Sequence, residues 1–385
     1  MQATLRRLQV EVTGACNLRC RMCLVRYRPR LDRHRASFPL DRFVALLDEL
    51  PDLEQVTLQG LGEPLLHPDL ADMIRAAKDR GLTVGFNTNG TLLTGRRIDE
   101  LLDSGVDWLH VSVDGATART FEHIRDGAHF DQVVRNLRRL VAARARRGQT
   151  HPAVQLNAVL MRSNQHELLD LVRLAADIGV DRLWLQALSH DFGDTAEDDG
   201  AYVEIRQFAA AEAVWGGDDG GRGGRVGSGD DGDGGRVGSG DDGGGVEGVG
   251  GVGSVGRNGA GEGDAQALMA AARRLAEELG LPLRLPDDGL PPELAGAGSA
   301  AEGDAARVDE LPCDWPWDGA YVTYSGKVQP CCMVMGEDRV ILGDLDHQRM
   351  GEIWTGPAYA GFRAELLSEH PPEVCRGCSW YRRVF

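Results

Sequence analysis

Residues 8–23 read LQVEVTGACNLRCRMC. A short β-rich run ends at a Thr13-Gly14 turn, and three cysteines follow in the spacing C-x3-C-x2-C, at Cys16, Cys20 and Cys23. Three thiolates on one short loop can hold three irons of a cubane cluster and leave the fourth without a protein ligand. A structural zinc site wants a fourth close ligand, and none is local. The stretch therefore reads as an iron–sulfur loop with one open coordination position, at the end of a first strand.

Outward from this loop, β-rich runs recur at 55–59, 83–87, 108–113, 154–161 and 182–187. Amphipathic segments lie between them at 40–50, 69–80, 97–104, 130–147 and 165–178. Six strand–helix units in series argue for an α/β fold with a parallel sheet and helices outside. Six are too few for the eight-stranded barrel. The expectation is a partial, open (β/α)6 TIM-like barrel over residues 1–190. Functional groups in such folds gather at the C-terminal ends of strands. Gly60–Pro64, Asn87–Gly90 and Ser112–Gly115 all follow strands in this reading. Each also has a plain structural reading: Gly60 and Gly62 as a tight turn, Glu63 as a surface carboxylate, Asn89-Gly90 as a turn dipeptide.

The 385 residues carry a net charge of −17, which points away from a nucleic-acid partner. Most of that charge is local: residues 191–264 hold 17 acidic and 5 basic residues, a balance of −12. The stretch 216–263 is about half glycine, against a usual share of about 7%, and repeats GGRVGSGDDG at 223–232 and 234–243. Residues 191–263 are expected to be an acidic, Gly-rich, mostly disordered insertion. A helix at Asp264–Leu279 and a linker to residue 308 follow. No apolar run fits a signal peptide or a membrane span. A cytoplasmic protein is expected, with its eight cysteines reduced and available to metals.

The remaining cysteines, Cys313, Cys331, Cys332, Cys375 and Cys378, all fall in residues 309–385. A hairpin turning at Ser325-Gly326 would bring Cys313 and Cys331 together, and Cys375-x-x-Cys378 adds a chelating pair. Four thiolates suit a closed iron–sulfur cluster or a zinc ribbon. Trp315, Trp317, Trp354 and Trp380 are expected to fill the core of this region. Arg26, Arg28, Arg30, Arg33 and Arg35 read as a solvated loop. Arg135, Arg138, Arg139, Arg144, Arg146 and Arg147 read as an exposed helix face. His110 reads as a core histidine. His190, near the sixth strand end, is a candidate to face the cavity.

On Cys16, Cys20 and Cys23, with bulky Met22 before the last, the chain resembles the radical S-adenosylmethionine (SAM) superfamily over residues 8–188. Gly60-Leu61-Gly62-Glu63-Pro64 is similar to the family's Gly-Gly-Glu-Pro motif, with Leu61 in place of one glycine. The resemblance implies a SAM-binding [4Fe-4S] cluster on the three cysteines. It implies SAM contacts from Gly60, Gly62 and Glu63, from Asn89 and Ser112 at the third and fourth strand ends, and from Asn157 toward the ribose. Cys313…Gly326-x4-Cys331 and the Cys375/Cys378 pair resemble the twitch domain, a shortened SPASM domain. This implies one auxiliary [4Fe-4S] cluster on Cys313, Cys331, Cys375 and Cys378. Cys331 is preferred to Cys332 because it keeps the family spacing.

The activity so implied is reductive cleavage of SAM to a 5′-deoxyadenosyl radical, then hydrogen abstraction from a peptide or natural-product small molecule in an oxidation or cross-link. Reduced flavodoxin or ferredoxin would supply the electron. Peptide-maturing relatives often carry a leader-binding domain before the barrel. Here the first strand begins near Leu8, which weighs toward a small molecule while both classes stay open. The alternative is an iron–sulfur electron-transfer or binding module without SAM cleavage.

Overall fold

The computed structural model describes residues 3–27, 37–196, 200–214, 262–288 and 313–382. Most of the glycine-rich segment, the linker after Asp288, and Arg28, Arg30, Arg33 and Arg35 lie outside the described residues.

Alternation of β-rich and amphipathic segments produces the expected parallel sheet. Strands β1 (Arg7–Val10), β2 (Gln55–Thr57), β3 (Thr83–Thr88), β4 (Trp108–Ser112), β5 (Ala153–Val159) and β6 (Arg182–Gln186) stand side by side in chain order. A two-residue β7 (Leu283–Arg284) adds to β6, also parallel. Helices α1 (Leu24–Tyr27), α2 (Leu40–Asp48), α3 (Leu70–Lys78), α4 (Gly95–Ser104), α5 (Ala118–Ile124), α6 (Phe130–Arg146) and α7 (Leu168–Ile178) form the connections. Each long helix buries one stripe. On α3 it is Leu70, Met73, Ile74 and Ala77, at spacings of three and four. Glycines in the left-handed region, Gly105 and Gly179, end α4 and α7. This is the α/β partial barrel the strand–helix count implied.

Two helices carry no strong signal in the sequence. Seven-residue α5 is too short for its period to show. Its first turn is held by Glu167, which accepts from the hydroxyls of Thr117 and Thr120 at 2.6 Å each. Helix α8 (Gly200–Glu212) lies in the span expected to be mostly disordered, yet it buries Tyr202, Ile205 and Ala209. Helix α9 (Glu262–Leu279) follows where a helix was expected. On α6 the expected exposed arginine face needs one correction. Arg144 is buried, donates to the Pro152 carbonyl at 2.7 Å and pairs with Asp181, tying the helix to the feet of β5 and β6.

The C-terminal hairpin forms as read, with β8 (Gly319–Val322) and β9 (Lys327–Gln329) around Gly326 at φ 89°. Strand β8 pairs in parallel with β1, and β10 (Gly343–Asp344) pairs with β9. The sheet thus runs β10-β9-β8-β1-β2-β3-β4-β5-β6-β7 without a break. At this seam Arg7 pairs with Asp314 at 2.9 Å and with Asp318, and lies over the Trp315 ring. Trp317, Trp354 and Trp380 are buried as expected, whereas Trp315 and Trp380 also line the central cavity.

Candidate functional site

The three-cysteine loop leaves the C-terminal edge of β1 and is fastened on three sides. Beneath it, a Cβ at Gly62 would overlap the Thr13 carbonyl oxygen and lie 2.7 Å from that of Ala15. A Cβ at Gly60 would overlap the side chain of Glu11. Both glycines are therefore required by close approach to β1, and the Glu63 N–H donates to the Ala15 carbonyl at 2.8 Å. On the second side Asn89 donates to Asn17 at 2.9 Å, and Asn17 donates to Thr91 at 2.8 Å. On the third, the N–H groups of Arg19 and Arg21 donate to the carbonyls of Asp126, just past α5, and Ile124, its last residue, at 2.9 Å each.

This bracing shows what Glu63 and Asn89 do. The Glu63 carboxylate is buried and accepts from the Thr88 hydroxyl at 2.6 Å and from the N–H groups of Asn89 and Leu65 at 2.8 and 3.2 Å. Burial raises its pKa, while the N–H of Asn89 and the Thr88 hydroxyl favour the charged form. The Asn89 side-chain oxygen accepts from the Thr91 N–H and hydroxyl at 3.0 and 2.6 Å. Both side chains are engaged with the protein and join the cysteine loop to the ends of β2 and β3. Ser112 and Asn157 lie opposite each other in the β4–β5 register. Asn157 also accepts from Gln155 at 2.5 Å.

Inside the barrel is a cavity of about 710 Å³. Gly60, Leu61 and Asn157 line it, as do Asn87, His110 and Gln155, one row across β3, β4 and β5. Of the sequence-derived SAM contacts, Gly60 and Asn157 reach this cavity, whereas Gly62, Glu63 and Asn89 sit in the wall beside the cysteine loop. His110 faces the cavity and stacks on Trp108 at 4.3 Å. Burial, with Arg182 nearby, pushes its pKa down to about 3. His190 does not face the cavity: one ring nitrogen contacts the Val374 carbonyl at 2.8 Å and the other accepts from the Phe192 N–H at 2.7 Å.

Cys16, Cys20 and Cys23 are close enough that a thiolate on one raises the pKa of another. Burial pushes Cys16 up to about 12 and Cys20 up to about 11, the latter opposed by Arg125. Such thiols stay protonated at neutral pH unless an electrophile binds them, and iron is a fitting one. A second set gathers Cys313, Cys331, Cys375 and Cys378, which perturb one another. Cys331 feels Cys332 first and then Cys313, Cys378 and Cys375, whereas Cys332 feels Cys378 and lines the cavity. Burial is the largest cause of their raised pKa values, and Cys375 is pushed up to about 12. Among the described residues no three His, Cys, Asp or Glu side chains stand as a ready single-ion site. The second set is tied to the barrel through the Ser379 and Asp191 N–H groups, which donate to the carbonyls of Ser189 and Gly377.

Residues 10–175 match the radical SAM superfamily, and residues 313–379 match SPASM, an iron–sulfur cluster-binding domain. Residues 10–175 are accordingly a radical SAM domain, and residues 313–379 a SPASM domain. The chain's cofactors are SAM and iron–sulfur clusters. Similar proteins include the tungsten-containing aldehyde ferredoxin oxidoreductase cofactor-modifying protein of Pyrococcus furiosus. It is 32% identical over 188 residues, 47% of this chain and 51% of that protein. The PqqA peptide cyclase of Bradyrhizobium diazoefficiens is 31% identical over 45% of this chain and 44% of its own. The chain spans about half the length of the curated relatives it matches. Among solved structures, Streptococcus suis SuiB bound to its precursor peptide SuiA has a TM-score of 0.63 at 14% identity, covering 99% of this chain and 71% of SuiB. That likeness speaks for the fold. No helix among the described residues is long and apolar enough to cross a membrane.

Sequence reading missed Glu11, Asn17, Asp114 and Arg125. Glu11 accepts from the Leu61 N–H at 2.8 Å and the Tyr324 N–H at 3.4 Å, so one carboxylate ties β1 to the Gly60–Pro64 loop and the β8–β9 hairpin. Asp114 lies inside the quoted Ser112–Gly115 stretch, but nothing local marks Arg125 as its partner.

Proposed function

We propose that this chain cleaves SAM reductively and removes a hydrogen atom from a peptide or natural-product small molecule, in an oxidation or cross-link. The observation that carries the reading is the three-thiol loop, seated at the C-terminal edge of the barrel on two glycines that admit no side chain. When bound, the cluster and SAM together take up one electron and supply methionine and a 5′-deoxyadenosyl radical. Cys16, Cys20 and Cys23 hold three irons and leave one position for SAM. Glu63 and Asn89 act as braces of that loop, and Gly60 and Asn157, which line the cavity, are the groups left to meet SAM, with Ser112 opposite Asn157 in the register. The cavity lies within the ordinary size range of small-molecule sites, roughly 300–1,000 Å³, and admits a small molecule or one peptide side chain.

Cys313, Cys331, Cys375 and Cys378 hold the auxiliary cluster, with Cys332, Met333 and Trp380 between it and the cavity. That nearness supports a net oxidation, because a substrate radical must lose one more electron. The peptide in SuiB and the peptide substrate of the PqqA cyclase favour a peptide; the Pyrococcus relative favours a cofactor-sized molecule. A reduced flavodoxin or ferredoxin is the proposed donor.

The test is 5′-deoxyadenosine formation by anaerobically reconstituted protein. Wild type should form it, and Cys16→Ala, Cys20→Ala and Cys23→Ala should each abolish it. Formation surviving in any of these variants removes the ligand assignment. A wild-type protein with intact clusters and no cleavage returns the chain to an electron-transfer or binding module.

A further inference from the structure

Arg125 is a buried guanidinium beside a candidate cluster thiol. Its Nη1 donates to Cys20 Sγ at 3.9 Å, and its Nε pairs with Asp114 at 2.6 Å. Asp114 is fully buried, and its other oxygen accepts from the Val159 N–H, at the end of β5, at 2.7 Å. The backbone on either side of Arg125 receives the N–H groups of Arg19 and Arg21. The guanidinium is thus held against the cysteine loop from α5, β4 and β5 together. A buried charge without a functional or structural return is costly. This pair lies where a cluster would change its own charge.

We infer that Arg125 is a positioning residue that sets the reduction potential of the cluster on Cys16, Cys20 and Cys23, with Asp114 as its counterweight. The inference rests on the reading of Cys20 as a cluster ligand. Reduction adds one negative charge to the cluster. A fixed cation at a ligand sulfur, donating a hydrogen bond to it, favours the reduced form and raises the potential. Asp114 opposes this from one residue farther away. The balance leans to the cation, because Arg125 touches the Cys20 sulfur directly whereas Asp114 meets only the far edge of the guanidinium.

The two residues therefore predict shifts of opposite sign. The experiment is an EPR-monitored redox titration of the full-length, reconstituted protein, following the cluster signal that responds to added SAM. Arg125→Met should leave about tenfold less of that cluster reduced at a fixed potential, about 59 mV for one electron. Asp114→Asn should shift it the other way. Arg125→Lys, which keeps the charge, should stay nearest to wild type. The Arg125→Met/Asp114→Asn double variant removes both charges and leaves none buried alone. It should shift downward by less than Arg125→Met. Iron per chain, measured on each sample, separates the two levels of failure. A wild type without a SAM-responsive cluster defeats the ligand reading. Variants with full iron and an unmoved potential, or single variants shifted in the same direction, overturn the role of Arg125.

Discussion

At the residue scale the site depends on atoms that are absent. Gly62 lets the second strand's loop touch the Thr13 and Ala15 carbonyls, so the cysteine loop rests on backbone. Gly62→Ala forces a methyl into that contact. Overpacking of this kind costs about 1–3 kcal/mol. The expected outcome is a lower unfolding temperature and less iron per chain after reconstitution, with Gly95→Ala, where nothing lies within 4 Å, as the neutral control. Full iron in Gly62→Ala would show that the loop seats the cysteines by another route. The tight packing of Gly60 and Gly62 was legible in the sequence as a turn, because close approach leaves a local mark. The protein partners of Glu63 and Asn89 were not. A carboxylate that accepts from Thr88 and Asn89 reads in sequence like one that awaits a ligand. Arg125 was invisible for a related reason: its partners Asp114 and Cys20 are distant in the chain.

At the element scale, each inner strand presents two faces. On β4, Leu109 and Val111 are buried, while Trp108 and His110 face the cavity. His110, read as a core histidine, is instead half-buried on the cavity side, since period-2 alternation does not say which side is hollow. The direction has a measurable consequence. His110 has a folded pKa of about 3 and an unfolded value of about 6.5. Between these values the unfolded chain binds more protons than the folded one, so stability falls as pH falls through that window. From pH 7.5 to 5.5 this group alone contributes a loss of about 1.4 kcal/mol. His110→Gln should remove that part of the slope in denaturant unfolding measured at the two pH values. An unchanged slope would mean that the imidazole is solvated and protonates in the folded state. Helix boundaries were legible where glycine ends them, as at Gly105 and Gly179, and α5 was lost because seven residues are too few to show a helical period, although Thr117 caps it locally.

At the scale of the whole molecule, the sheet joins two thiol sets into one object. Six of the parallel strands, β1 to β6, could be read from hydrophobic alternation, and so could the hairpin around Gly326, whereas two-residue β7 could not. That β8 would pair with β1 could not, because a parallel pairing between strands some three hundred residues apart leaves no local pattern. This pairing places Tyr324 of the hairpin against Gly14 of the cysteine loop. It also puts Cys332 and Trp380 in the wall of the barrel cavity. On the proposed function the two sets have separate tasks: Cys16, Cys20 and Cys23 for SAM, and Cys313, Cys331, Cys375 and Cys378 for the electron that leaves the substrate. The most direct measurement compares wild type with Cys375→Ala/Cys378→Ala, reading iron per chain and 5′-deoxyadenosine formed from SAM under anaerobic reduction. Two [4Fe-4S] clusters predict about eight irons in wild type and about four in the variant, with SAM cleavage retained in both. Zinc in place of the second set of irons, or a variant that keeps all its iron, would contradict the account.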